Sequence, residues 1–418
     1  MERFFWGAAT SSHQIEGGND NDWTEWEKTH AQRLAQSAQR HPPRGGWPEF
    51  ILRGYPSPLE PENYVSGKAC DHYNRFREDF DIAKSLGHNA HRFSLEWSRI
   101  EPEEGKFNEE AIEHYREVIR ALQERGLEPF VTLWHWTVPR WFAERGGWLC
   151  PDAGRLFARF AARMAQEFGR DVRWWLTMNE LETFARHGYF LGDRPPGRRN
   201  PFAAYRALKA LVEAHRGAYR AMKEAAPGLN VGFTESVVDF EPYGRSPHNL
   251  LAMKAIRWWR NNPFFGALVR SADFIGLQHY FHSRIRVNPF LSAWGIQCNE
   301  NKEVSDVGWE IHPESIYRVL KDLAVYGKPI VVTENGLADA RDIHRARYIS
   351  GYVGQVMRAK REGADVRGYF HWSLLDNFEW DKGFWPRFGL VEIDYRTLKR
   401  TARPSAWRYK KLIEEEIL

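Results

Sequence analysis

Eight short apolar runs recur along the 418-residue chain, at residues 4–9, 89–95, 129–134, 174–178, 231–234, 274–277, 330–333 and 369–373. Each leads into a polar or aromatic cluster and then a helical stretch. The stretches "FNEEAIEHYREVIRALQERG", "AGRLFARFAARMAQEFG" and "PESIYRVLKDLAVYG" show apolar spacing of three and four with a glycine stop. Parallel strands need crossover helices, so eight strand-then-helix units predict a closed parallel sheet. The expected fold class is α/β, a single (β/α)₈ TIM barrel over residues 1–418. Residues 29–66 break the rhythm. They are rich in Pro, Gly, Gln and Arg, and read as a long surface excursion of the first βα loop. Such loops open at the active face of a barrel, which leaves a part in shaping the site entrance open.

Charge narrows the function classes. The 59 Lys and Arg and 55 Asp and Glu are mixed along the chain, for a net charge of +4, and no like-charge block tracks nucleic acid. No apolar run reaches membrane-spanning length, so no membrane partner is expected. The start, "MERFFWGAATSSHQIEG", lacks the apolar core of a signal peptide. Cys70, Cys150 and Cys298 are widely spaced and form no CxxC pair, which fits reduced thiols in a cytoplasmic protein. "HNAH" and "HYFH" raise a metal-dependent hydrolase as a rival, but no HExxH or His-x-His strand end accompanies them. Glycine loops of the nucleotide-binding kind are absent too, so neither metal nor cofactor is expected.

Barrel chemistry gathers at the C-terminal ends of strands. Here those ends carry Gln14 in "SSHQIEG", Arg92 in "HRFSLEWSRI", His135 in "LWHWTVP" and Asn179 with Glu180 in "TMNEL". Later ends add Tyr280 in "GLQHYF", Glu334 in "VVTENG", and Trp372, Glu379 and Trp380 in "HWSLLDNFEW". Each alone has a dull explanation, since a lone His is usually structural and a lone Trp usually core. Together, two carboxyls on separate strands, ringed by amides, indoles and a cation, suit glycoside hydrolysis. That reaction needs a proton on the departing oxygen and electron density at the anomeric carbon. The chain's 19 Trp, 16 Tyr and 26 Phe add flat apolar surfaces for sugar rings.

These motifs, in this order along nearly the whole chain, resemble those of the family 1 glycoside hydrolases, the retaining β-glucosidase and β-galactosidase family. The resemblance implies roles. Glu180 would be the acid/base and Glu334 the nucleophile. Asn179 would hold the sugar's 2-hydroxyl. Gln14, His135, Glu379 and Trp380 would bind the remaining hydroxyls over a Trp372 floor, and Trp309, in "VGWEI", would wall the leaving-group side. Arg92 and Tyr280 would sit beside Glu334. Arg92 is expected to lower the pKa of Glu334, and the charge of Glu334 to raise that of Glu180. The implied activity is exo-acting, retaining hydrolysis of β-glucosides, with β-galactosides and β-fucosides, through a covalent glycosyl-enzyme. Its partners would be small-molecule or oligosaccharide β-glycosides, and its carboxyls about 5–5.5 Å apart. A sugar-binding pseudoenzyme of the same fold is disfavoured because both carboxylates are present.

Three positions depart from the family pattern. Leu181 stands where proline follows the acid/base, Gln278-His279-Tyr280 replaces Asn-Tyr-Tyr, and Arg194 interrupts the turn "GDRPPG". Proline would remove an N–H; leucine leaves an amide that needs a partner. Leu181→Pro is nonetheless expected to be tolerated, with a modest change in rate or aglycone preference. Members that take 6-phosphorylated sugars carry Ser where Glu379 stands, with a Lys and a Tyr shortly after. Glu379, with Phe388 in the aromatic place, therefore implies unphosphorylated substrates.

Overall fold

The computed structural model describes residues 3–43, 45–261, 264–287 and 303–417; Cys298 lies outside them. Eight parallel strands close a barrel in chain order: β1 Phe5–Ala9, β2 Ala90–Ser94, β3 Glu128–Trp134, β4 Trp174–Asn179, β5 Asn230–Ser236, β6 Phe274–Gln278, β7 Ile330–Asn335 and β8 Val366–Trp372. β8 returns to β1 with Phe5 opposite Gly368 and Ala9 opposite Trp372. Each expected run lies on one of these strands, with ends shifted by a few residues. The expected helices form at Glu109–Glu124, Ala153–Phe168 and Glu314–Ala324.

The barrel is plugged from below by rings. Phe130 stacks on Trp174 with centroids 5.2 Å apart, and Phe5, Phe274 and Phe370 close edge-on around them at 4.9–5.4 Å. Such pairs pack densely and leave no channel. The opposite end is left for polar side chains.

On β4 the alternation Trp174 in, Trp175 out, Leu176 in would turn Met178 inward. The register to β5 shifts between Leu176 and Asn179. Met178 joins the outer core, Thr177 bonds His215 on the surrounding helix, and Asn179 turns into the barrel. One irregularity thus sets which side chain reaches the site.

The first βα excursion differs from the sequence expectation. Residues taken as loop from 29 onward continue a helix, Asp22–Arg40. Asn21 and Thr24 form a reciprocal cap, Asp22 and Glu25 favour its N-terminus, and the Gln- and Arg-rich stretch is good helix-forming sequence. Ala31 and Ala35, four apart, bury one face against Tyr64. Composition suggested a loop because this helix is polar nearly all round.

Candidate active site

A cavity of about 300 Å³ opens at the C-terminal end of the barrel. Gln14, His135, Asn179, Glu180, Tyr280, Trp309, Glu334, Trp372, Glu379 and Trp380 all line it. Arg92 lies beneath, fully buried, with its side chain spanning the barrel interior. Its Nη1 donates to Glu334 Oε1, its Nη2 to Asn179 Oδ1 at 2.6 Å, and its Nε to Thr132 at 3.1 Å.

Glu334, at the end of β7, is tightly partnered. Tyr280 donates its hydroxyl to Oε2 at 2.7 Å, and Gln278 Nε2 donates to Oε1. Gln278 Nε2 also lies 2.7 Å from Asn179 Oδ1. Its extra methylene, relative to asparagine, lets one amide touch both groups. Asn179 Oδ1 thus accepts from Arg92 and Gln278, and its Nδ2 has no acceptor among the described residues. His279 belongs elsewhere. It is fully buried, pairs with the Val237 carbonyl and Ser315, and is held neutral, its pKa lowered to about 4 mainly by burial.

Glu180 has no comparable set of donors. It sits in the left-handed region at φ 45°, with its N–H on the Thr234 carbonyl at 2.8 Å. Trp136 (φ 78°) and Trp380 (φ 53°), also on the cavity wall, share that conformation. Non-glycine residues held there are strained, and such strain gathers at functional sites.

Burial is the first influence on both carboxyls. It raises Glu180 to about 8, with the charge of Glu334 adding to it and Arg194 opposing. It also raises Glu334 above the ordinary carboxylate value, although Arg92, Tyr280 and Gln278 all pull it down. Arg92 pulls Glu334 down as expected, but taking the carboxylate out of water outweighs the cation, so the net shift is upward. The asymmetry remains. Glu334 has a cation and two further donors to stabilise its charge, so it gives up its proton first. Glu180 is left holding its proton.

Around them lie the groups that would meet hydroxyls. Gln14 donates to Asn377 Oδ1 at 3.0 Å and the Phe378 carbonyl at 2.8 Å, and accepts from Ser11. Glu379 is raised to about 7, chiefly by burial. His135 is held neutral by burial and by Arg92, and its Nδ1 has no partner among the described residues. Its ring runs nearly parallel to Trp372 and Trp380, 6.1 and 6.0 Å away. Trp309 meets Tyr280 and Phe281 edge-on.

The motif glycine in "TENG" has a steric cause. A Cβ on Gly336 would lie 1.7 Å from the Trp372 carbonyl, so only glycine lets β7 and β8 end side by side. Asn335 ties the same strand end to the His279 carbonyl and to Tyr348 and Tyr369. The rest of "DNFEW" is braced by Asp376, which pairs with Arg403 through both oxygens at 2.9 and 2.8 Å.

The sequence matches the family described as Glycosyl hydrolase family 1 over residues 55–271 and 266–417. The chain belongs to that family. Beta-glucosidase A of Thermotoga maritima is 32% identical over 455 residues, covering 99% of this chain and 97% of the relative. The solved beta-glycosidase from Pyrococcus horikoshii superposes with a TM-score of 0.85 at 34% identity, covering 99% of this chain and 94% of that one. The Thermotoga maritima beta-glucosidase in complex with glucoimidazole superposes at 0.86 with 30% identity, covering 99% and 98%. This family 1 chain is therefore a glycoside hydrolase.

Several residues of its cavity were not singled out from sequence: Trp136, Thr183, Arg186, His187, Arg260, Phe281, Val307 and Lys382. Trp136 had a signal, since it shares the strand-three end with His135. Arg194, read only as a departure, lies on the wall over the Trp136 ring and pairs with Asp381 at 2.7 Å. Arg260 had none, because it arrives from a distant helix, Pro247–Asn261. The metal-binding rival gains little. Among the described residues, Glu241, His282 and His312 cluster within 4.8 Å, off the cavity wall. The two imidazoles are stacked 3.9 Å apart at 11°, so their in-plane lone pairs run parallel and do not converge. Among the described residues, no helix is long and apolar enough to cross a membrane.

Proposed function

We propose that this enzyme is an exo-acting, retaining β-glycosidase. It hydrolyses unphosphorylated β-glucosides, and also β-galactosides and β-fucosides, with residues 1–418 acting as one catalytic domain. The observation that carries the reading is the unequal treatment of two buried carboxyls on one cavity. Glu334 is surrounded by donors that stabilise its charge, while Glu180 is raised to about 8 and keeps its proton at neutral pH. Glu334 attacks the anomeric carbon as Glu180 protonates the departing oxygen, which leaves as the aglycone alcohol. The resulting ester cancels the charge that helped keep Glu180 protonated. Glu180, already ionised by that transfer and now free of this repulsion, takes a proton from water as the water oxygen displaces Glu334 from the sugar.

Asn179 offers its unpartnered amide to the 2-hydroxyl, where hydrogen bonds strengthen in the oxocarbenium-like transition state. Gln14, His135, Glu379 and Trp380 take the other hydroxyls, Trp372 supplies the stacking floor and Trp309 the leaving-group wall. A cytoplasmic location fits the unpaired, buried thiols Cys70 and Cys150. Transfer to an acceptor other than water would use the same two groups.

A panel of aryl β-glycosides, with product stereochemistry followed by NMR, tests the reading. Net retention, with turnover of the glucoside, is expected. Inversion, or no turnover of any β-glycoside, would overturn it. Preferential cleavage of cellobiose-6-phosphate over cellobiose would overturn the exclusion of phosphorylated sugars.

A further inference from the structure

Leu181 follows Glu180 where the family pattern has proline, so this chain has one more buried N–H to satisfy. Leu181 is fully buried. Its N–H donates to Glu235 Oε1 at 2.8 Å, and the N–H of Glu182 lies 3.4 Å from the same oxygen. Glu235 is itself only 6% exposed, on β5 directly after Thr234, whose carbonyl accepts from Glu180 N–H. The end of β5 thus grips three consecutive amides, those of Glu180, Leu181 and Glu182. Glu180 is the strained left-handed residue at the start of that turn.

We propose that Glu235 is a positioning residue for Glu180, and that Leu181 and Glu235 form one exchangeable unit that does here what proline does elsewhere in the family. A proline fixes φ of residue 181 through its ring. Here the same segment is fixed by a carboxyl that accepts its N–H. Glu235 therefore acts on the reaction through the aim of the Glu180 carboxyl.

The charged neighbours agree with this role. Glu235 faces Glu180 and Glu182, and Arg260 lines the same small crevice. Arg260 and Arg186 both lean on Glu182, at 3.4 and 3.7 Å, and neither is paired to Glu235. Burial, with Glu180 and Glu182 adding to it, holds the Glu235 carboxyl well above the ordinary range. A protonated carboxyl still presents a carbonyl oxygen to both amides, so a glutamine can replace it.

The inference rests on Glu180 being the acid, and the test separates the two claims. Four variants, Glu235→Gln, Glu235→Leu, Leu181→Pro and the double Leu181→Pro/Glu235→Leu, are compared with Glu180→Ala on cellobiose and on 2,4-dinitrophenyl β-glucoside. The second substrate needs no proton for departure. Leu181→Pro takes from Glu235 the closer of its two donors, and Glu235→Leu removes the acceptor of the Leu181 and Glu182 N–H groups. Each should lower kcat/KM on cellobiose about tenfold while changing the dinitrophenyl substrate less than threefold. The earlier expectation that Leu181→Pro is tolerated is revised accordingly. Glu235→Gln should stay within threefold of wild type on both substrates. The double variant should recover most of the loss, because the Leu181 N–H, the closer of the two donors to Glu235, is then absent together with its acceptor.

Equal losses on both substrates, or a double variant no better than the singles, would overturn the proposal. If Glu235→Leu does not fold, Leu181→Pro alone decides: an unchanged ratio between the two substrates refutes the unit. If Glu180→Ala itself shows no leaving-group dependence, the assignment of Glu180 fails instead.

Discussion

The ends of β4 and β7 carry the same residue type at the same cavity, yet they are built differently. Glu334 stands near the end of β7, beside a register shift to β6, and is met by Arg92, Tyr280 and Gln278. Glu180 stands just past a register shift, in a left-handed turn, and its hold on the protein runs mainly through the backbone. One carboxyl is stabilised as a fixed anion. The other is left able to gain and lose a proton. The contrast follows from the supply of donors, since both are buried and burial alone pushes both the same way.

Removing the fixed anion should have the largest effect. Glu334→Ala is expected to lower kcat by roughly 10⁴-fold or more, with azide restoring turnover and giving a product of inverted configuration. Restoration with retained configuration would place the nucleophile elsewhere. Removing the proton carrier should cost less, and selectively. Glu180→Ala should lower kcat/KM on cellobiose by about 10²–10⁴-fold while dinitrophenyl glucoside still glycosylates the enzyme rapidly, seen as a burst. Unchanged cellobiose hydrolysis would erase the distinction between the two sites.

Weakening the donors around Glu334 should shift pH dependence before it abolishes activity. In the proposed mechanism, glycosylation needs Glu180 protonated and Glu334 ionised. Activity in kcat/KM should therefore fall as pH rises through about 8, and fall again as pH drops through the raised pKa of Glu334. Tyr280→Phe removes a donor that lowers the Glu334 pKa, so the acid limb should move to higher pH while the basic limb moves less. A loss of about 10- to 100-fold at the optimum corresponds to one hydrogen bond to a charged group, about 1.5–3 kcal/mol. An acid limb that stays in place would show that Tyr280 does not stabilise the anion.

The same contrast explains what could be read in the sequence. All eight strands were legible, because buried parallel strands are apolar runs and end on their chemistry. So were the residues that line the cavity from those ends, Glu180 and Glu334 among them. The polar helix Asp22–Arg40 was not, since its composition mimics a loop. Nor was Arg260, which reaches the wall from a helix with no motif. The pull of Arg92 on Glu334 was legible, but the net shift was not. A sequence names the cation beside a carboxylate but not the depth at which both are buried, and depth decided the sign. Leu181 was recognised as odd, but its partner Glu235 lies 54 positions away on another strand and was invisible until the strands were laid side by side.

The smallest expected effect is on stability. Glu180 has an ordinary value of 4.5 and a folded value of about 8. Since the folded value is the higher, the stability tied to its proton is full below about pH 4.5 and is lost as pH rises through about 8. Glutamine at this position keeps the shape and carries no such loss. Between pH 5 and pH 9 the Tm of Glu180→Gln should therefore fall less than that of wild type, by about 1–3 °C in a chain of this length at one scan rate. Glu334 also has a raised value, but its donors offset part of the cost of ionising. Glu334→Gln would strand those donors around a neutral amide, so it should gain less stability at pH 9 than Glu180→Gln does. Equal gains from the two substitutions would mean that depth of burial governs both carboxyls and that the donors around Glu334 count for little.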